Sequence, residues 1–292
     1  METRKQFIDY ATKEEVLIEA LPYIQTYEGK TFVIKYGGAA MTDEKLKETF
    51  AKDVTLLRKI GINIVIVHGG GKEITEISSA LGIKTQFVNG QRYTDAKTIE
   101  VVLMVLAGLV NKEIVNLINT NGGNAVGLCG IDNGLLKARQ QTPNGVDLGL
   151  VGEIVSVNVP FINLLLHNGM MPVVAPIGVG DAGEIYNVNA DLAAGAVATA
   201  LKAEKLVYLS DVEGIFVNNK LVSTLTRTEA QLFMKDGSIF GGMIPKVTSA
   251  FETLRAGVKK VHLIDGRVKH SLLLEIFTDE GIGTQMVRDE GP

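Results

Sequence analysis

Thr31-Phe-Val-Ile-Lys35-Tyr-Gly37-Gly38-Ala-Ala decides the fold, and Ile64-Val-Ile-Val-His68-Gly69-Gly70-Gly71 answers it a short way along the chain. Each is a short apolar run that ends in glycines and then opens a helical pattern. A parallel strand hands its carboxyl end to a helix amino end in this way. Backbone N–H groups in such a turn, backed by the dipole of the following helix, make a site for anions, phosphate above all. Glycine suits the turn because a Cβ would block close approach and restrict φ. Lys35 lies in an otherwise apolar strand directly before the glycine pair, where an ammonium is costly to bury without an anion. The pattern therefore predicts a crevice with backbone dipoles and one fixed cation.

Working outward, residues 1–29 read as an appendage. Thr12-Lys-Glu-Glu15 is a capping box, and Val16, Leu17, Ala20, Leu21 and Ile24 follow at helical spacing. Phe7, Ile8 and Tyr10 precede it with nothing local to cover them, so the helix either packs on its own domain or is offered to another subunit. After the first glycine turn a helix capped by Thr42 is expected, with Phe50, Val54 and Leu57 inward and Gly61 as its stop. The triple glycine leads into a helix with Ile74, Ile77 and Leu81 inward. A helix over 95–119 capped by Thr94, a strand over 124–129, an antiparallel excursion over 149–157, a helix over 161–168 and a strand over 171–176 continue the rhythm. The second half repeats it with helix 190–202, strand 205–210, helix 227–235, a helix over 245–256 with Pro245 at its first position, strand 261–264 and helix 269–277. Such alternation argues for a mostly parallel sheet with helices on both faces.

With 292 residues, 46% of them hydrophobic and 21% charged, the chain can bury a sizeable core. A net charge of −4 makes no electrostatic case for nucleic acid or an anionic membrane. The single cysteine, Cys129, excludes an intramolecular disulfide and a cysteine-rich metal site, and reads as a small core residue. The start of the chain shows no apolar leader, and no run reads as long enough to span a bilayer; the expectation is a cytoplasmic protein.

Two motifs are decoys. Gly29-Lys30-Thr31 resembles the end of a P-loop, but Ile24 stands where that motif needs glycine. Gly178-Val-Gly180-Asp-Ala-Gly183 spells a dinucleotide fingerprint, yet Glu184-Ile-Tyr-Asn-Val follows like a strand, so a hairpin is expected.

Other segments carry polar residues at informative places. His68 reads first as a structural histidine. Arg92, in Asn89-Gly-Gln-Arg92-Tyr-Thr-Asp95, is either surface charge or a bidentate clamp for a carboxylate. Asn187-Val-Asn189-Ala-Asp191 opens the alanine-rich helix, with Asn189 as an N-cap and Asp191 placed to hold lysines. Ser210-Asp211-Val212-Glu-Gly214-Ile-Phe216 follows a strand end, where ligands bind in open α/β sheets. Gly241-Gly242-Met243-Ile-Pro-Lys246 runs into a helix whose first turn holds a lysine, unfavourable unless an anion is near. Lys246 is thus the second phosphate-facing cation.

Together these segments resemble the amino acid kinase family, and within it the arginine-biosynthetic branch whose acceptor is N-acetyl-L-glutamate; the resemblance covers residues 12–287. It implies a three-layer αβα sandwich plus an N-terminal helix over 1–29, an acceptor lobe over 30–200 and an ATP and arginine lobe over 201–292. On that pattern Lys35 and Lys246 stabilise the transferred phosphoryl and Asp191 orients them, while the N–H groups of Gly37, Gly38, Gly69 and Gly70 cradle it. Arg92 and Asn187, with Asn189, hold the acceptor. Ser210, Asp211, Val212, Gly214, Phe216, Gly242 and Met243 surround ATP, whose phosphates carry Mg²⁺ with no dedicated protein ligands.

The resemblance extends to the arginine-inhibited, hexameric branch, a trimer of dimers. It implies an arginine site formed from Tyr10, His270, Glu275, Glu280, Gly281 and Gly283. The signalling protein PII is a partner of some photosynthetic members and is carried as a candidate. Lys72 departs from the family's usual proline and adds charge near the substrate mouth. The alternatives are an arginine-sensing domain without catalysis, as is fused to N-acetylglutamate synthases, or a kinase for another small acid such as aspartate.

Overall fold

The computed structural model describes residues 18–88, 90–278 and 281–289. Thr31–Tyr36 lies inside an eight-stranded sheet. On one side of it come Lys205–Ser210, Lys260–Asp265, Thr284–Met286 and Thr224–Leu225 in turn. On the other come Asn63–His68, Met171–Ala175 and Ala125–Cys129. The run from Lys260–Asp265 to Ala125–Cys129 is parallel throughout. Only the edge beyond it reverses, where Thr284–Met286 pairs antiparallel with Lys260–Asp265.

The period-two alternation of strands sorts the side chains into two cores. Phe32, Ile34, Tyr36, Ile64 and Ile66 face helix Glu44–Lys59, through Phe50, Val54 and Leu57, and the long helix over 96–120, through Val102, Ile114 and Ile118. Val33, Val65 and Val67 face the opposite layer, where Ala193, Ala194 and Val197 of helix Ala190–Ala200 meet Val247, Ala250 and Leu254 of helix Met243–Arg255. The result is the three-layer α/β sandwich that the alternation predicts. Removing a fully buried side chain such as Leu57 or Ile66 costs about 2–5 kcal/mol, because transfer and cavity terms add. Cys129 is buried in the first core.

A second, smaller element sits beside the sheet. Leu136–Gln140, Val151–Val157, Ile177–Val179 and Ile185–Val188 close a four-stranded barrel. Within it Ile177–Val179 and Ile185–Val188 pair antiparallel, so the 178–183 glycines form a hairpin and no dinucleotide turn.

Several local expectations change. Helix Glu44–Lys59 is capped by Asp43, whose Oδ1 accepts from the Lys45 and Leu46 N–H groups, and not by Thr42. Asp95, not Thr94, caps the long helix by accepting from the Thr98 N–H. The helix expected from Pro245 begins at Met243; proline is tolerated at its third residue because the first four N–H groups have no intrahelical acceptor. Leu81, expected inward, is exposed after the last turn of helix Gly71–Ala80.

The expectation that no run could span a bilayer is also corrected. Ala96–Thr120 is 25 residues long with a mean hydropathy of 1.9, enough by length and composition. Here it lies on the sheet, with Val101, Val102 and Val105 buried in the core. A π-helical turn, Met104–Val110, interrupts it.

Candidate active site

Strand alternation puts Lys35 on the same face as Val33, pointing at the amino end of helix Ala190–Ala200. Asn189 caps that helix through its Oδ1, which accepts from the N–H groups of Asp191 and Leu192. Asp191 in the first turn then offers one carboxylate oxygen to each of two lysines. Lys35 Nζ lies 3.0 Å from Oδ1, and Lys246 Nζ donates to Oδ2 at 2.5 Å. Burial alone would raise the Asp191 pKa; the two ammonium groups outweigh it and hold the carboxyl below its ordinary value. Two cations against one anion, at the positive ends of two helices, leave a surplus of positive charge at one point.

The glycine turn closes over this charge. A Cβ on Gly37 would stand 2.8 Å from Lys35 Nζ, so the turn lies directly against the ammonium. Gly38 follows with φ +67°. On the neighbouring strand the Gly69 N–H donates to Tyr36 O at 2.8 Å. That corrects the expected cradle: the Gly69 amide is committed to joining the two turns. Gly70, at φ +153°, leads into helix Gly71–Ala80, whose first-turn N–H groups have no intrahelical acceptors.

Beside these turns an open cavity of about 190 Å³ is lined by Gly69, Gly70, Arg92, Asn187 and Asn189, with Ile74, Leu106 and Val151 among its apolar walls. The Arg92 guanidinium donates to Gly71 O at 2.7 Å and Thr75 Oγ1 at 2.8 Å, and lies over the Phe87 ring. Asn187 Nδ2 donates to Thr94 Oγ1 at 3.1 Å. Polar and apolar groups thus line one chamber together, as fits a small amphipathic acid. Gln91, which the sequence reading passed over, also lines it. Lys72 points to Glu76, 3.9 Å away, on the exposed side of helix Gly71–Ala80.

His68 is fully buried. Its Nδ1–H donates to Gly69 O at 2.7 Å, and Nε2 accepts from Asn111 Nδ2 at 3.1 Å. Burial lowers its pKa to about 4, so the ring is neutral near pH 7 and serves to fix the triple-glycine turn.

The expected nucleotide residues lie on the other side of Lys35. Ser210 ends its strand next to Asp265. Asp211 turns back onto the glycine turn, its Oδ1 accepting from the Ala39 N–H at 2.9 Å. Val212 and Phe216 are exposed, and Gly214 takes φ +152° where a Cβ would strike Leu221 and Thr284. Gly242 precedes helix Met243–Arg255, the element that delivers Lys246.

A separate cavity of about 610 Å³ opens between helix 18–27 and the far end of the sheet, lined by Tyr23, Tyr27, Lys205, His262, Glu275 and Gly281 among others. Glu275 Oε1 accepts from the His262 Nδ1–H and Oε2 from the Ile282 N–H. His262 Nε2 has no hydrogen-bond partner among the described residues. Lys205, buried under the Tyr27 ring, has its pKa lowered by that burial to about 8. His270, expected here, instead donates to Asp53 of helix Glu44–Lys59 at 2.6 Å. The histidine of this cavity is His262, which the sequence reading missed because a strand position between apolar neighbours looks like core. Gly283 packs against the Leu263 backbone, where a Cβ would meet its carbonyl oxygen at 2.2 Å. Tyr10 and Glu280 lie outside the described residues.

A glycine-turn sheet with two lysines converging on one aspartate defines a phosphotransferase class, and the amino acid kinase family model matches residues 30–265; the chain belongs to that family and is an enzyme of the kinase class. It is 58% identical over 274 residues to the acetylglutamate kinase of Chlorobaculum tepidum, covering 94% of this chain and 96% of that one. Among solved structures it is similar to the N-acetylglutamate synthase of Neisseria gonorrhoeae complexed with coenzyme A and N-acetyl-glutamate. That match has a TM-score of 0.84 and 28% identity, and covers 95% of this chain and 64% of that one. The same synthase complexed with coenzyme A and L-arginine matches with a TM-score of 0.80 at 27% identity, over 93% of this chain and 64% of that one. Carbamate kinase from Giardia lamblia, 19% identical with a TM-score of 0.66 over 89% of this chain and 99% of that one, shares the fold.

Proposed function

We propose that the chain transfers the γ-phosphoryl group of ATP to the γ-carboxylate of N-acetyl-L-glutamate, the phosphorylation step of arginine biosynthesis, and that L-arginine inhibits it. The observation that carries the catalytic reading is the Lys35–Asp191–Lys246 triad beside the cavity lined by Arg92 and Asn187. A carboxylate is already a nucleophile at neutral pH and needs no general base. Catalysis then rests on in-line positioning and on neutralising the charge spread over the phosphoryl oxygens, which is what two lysines held by one carboxylate supply. Residues 30–200 form the acceptor side and 201–292 the nucleotide side. Mg²⁺ in this reading arrives on the ATP phosphates.

The regulatory reading is supported by the second cavity, where a carboxylate, a lysine and two tyrosines suit an amino acid with a basic side chain, and by the arginine complex of the gonococcal synthase. Helix 18–27 leaves Ile18 and Leu21 exposed, in keeping with a further subunit covering it in a homohexamer. The test is ADP release from ATP and Mg²⁺ with N-acetylglutamate, glutamate, aspartate or carbamate, each with and without arginine. Turnover confined to N-acetylglutamate and suppressed by arginine is the expected result; turnover with aspartate alone would move the acceptor assignment.

A further inference from the structure

The sequence motif puts Asp211 among the nucleotide residues, and its carboxylate meets the glycine turn. Oδ1 accepts the Ala39 N–H at 2.9 Å, across 172 residues of chain, and an ideal Cβ on Gly38 would stand 1.8 Å from the same oxygen. The contact falls at the start of the short 3₁₀ turn Gly38–Met41, whose own preceding residue, Gly37, offers no capping side chain. A carboxylate from the other half of the sheet thus acts as its cap.

A second approach point lies one residue further on. A Cβ on Gly266 would stand 2.9 Å from the Ala40 Cβ, and the Gly266 N–H donates to Ser210 O at 2.9 Å. Two missing Cβ atoms and one hydrogen bond therefore seat the Gly37–Met41 turn on the Lys205–Ser210 and Lys260–Asp265 strands. The Lys35 ammonium lies directly against this turn at Gly37, so any slack in the turn is felt at the group that meets the phosphoryl oxygens.

We propose that Asp211 is a positioning residue that fixes the Gly37–Ala39 turn by accepting the Ala39 N–H, and that it does not itself ligate the nucleotide. The inference rests on the phosphotransferase reading for its kinetic part only. An oxygen acceptor is what the latch needs; a full negative charge is not. Asp211→Ala removes the acceptor, whereas Asp211→Asn keeps an oxygen in place.

The experiment pairs hydrogen exchange at the Ala39 amide, read by mass spectrometry with residue-level fragmentation, with steady-state kinetics on the full chain. In Asp211→Ala, Ala39 exchange is expected to quicken about tenfold or more, and kcat to fall about 10- to 100-fold with KM for ATP within threefold. Asp211→Asn is expected to recover most of both losses. Unchanged Ala39 exchange in Asp211→Ala would overturn the latch. So would an intact kcat with a raised KM for ATP, which would make Asp211 a nucleotide ligand, or equal kinetic losses in both variants, which would assign the effect to charge. If the unmodified protein phosphorylates no acceptor, the phosphotransferase reading fails, while the exchange data still decide whether the latch exists.

Discussion

Lys35 and Lys246 take opposite oxygens of one carboxylate, so each lysine is held in place partly by the other's share of Asp191. Removing either leaves the phosphoryl oxygens with half their compensating charge. Lys35→Ala and Lys246→Ala are each expected to lower kcat by about 10²- to 10³-fold with the fold retained, checked by ADP release alongside far-UV circular dichroism. Near-normal turnover in either variant would sink the charge-stabilising role. His68 carries a separate, pH-dependent consequence. Its native pKa of about 4 lies below the unfolded value near 6.5, so between those limits the unfolded state binds more protons. Stability therefore falls as pH drops from about 6.5 to 4, by roughly 3 kcal/mol in all. Urea midpoints across that range are expected to show the loss and to flatten in His68→Gln; an unchanged slope would assign the acid sensitivity to other groups.

Among elements, the π-turn Met104–Val110 supplies Leu106 to the wall of the cavity beside the glycine turns. A Cβ on Gly70 would stand 2.4 Å from Leu106 Cδ2, and the residue's φ of +153° is itself closed to other side chains. Gly70→Ala is expected to destabilise by about 2 kcal/mol in urea unfolding and to raise KM for the acceptor. Leu106→Ala added to it relieves only the contact and leaves the backbone strain, so a full recovery of stability would contradict this account. The strands were legible wherever apolar runs met glycine turns, as at Thr31–Tyr36, Asn63–His68 and Lys205–Ser210. Leu136–Gln140 was not, because Lys137, Arg139 and Gln140 give a polar segment whose burial comes from closing a barrel with distant strands. Cap identity at Thr42-Asp43 and Thr94-Asp95 also escaped: adjacent capping residues compete, and the choice depends on backbone angles that local composition does not fix. The convergence of Lys35 and Lys246 on Asp191 was readable as charges at helix and strand ends. The exchange of His270 for His262 in the second cavity was not, since it depends on which side of a strand faces which helix.

At the scale of the whole molecule, the larger cavity and the Gly37–Met41 turn lie at opposite ends of one strand: Lys205 begins Lys205–Ser210 at the cavity, and Asp211 follows its other end at the glycine turn. Lys205 is expected to hold a ligand carboxylate only while it is charged. Inhibition by arginine should therefore weaken as pH rises past about 8, and Lys205→Met should abolish inhibition while ADP release persists. Inhibition of equal strength at pH 7 and pH 9.5 would exclude Lys205 from the site. Deleting residues 1–25 is expected to give a smaller assembly by light scattering and to lose the arginine response; an inhibitable deletion product of unchanged mass would refute a regulatory role for that helix.

The place of Thr31–Tyr36 between strands from both halves also sets a timetable for synthesis. One of its edges pairs with Asn63–His68 soon after leaving the ribosome, but its other partner, beginning at Lys205, is roughly 170 residues further on. At elongation speeds of about 5–20 residues per second that interval is about 10–30 s, during which Phe32, Val33 and Ile34 lie on an open, apolar strand edge. The strand that later unites the two halves thus spends that interval with one edge unpaired.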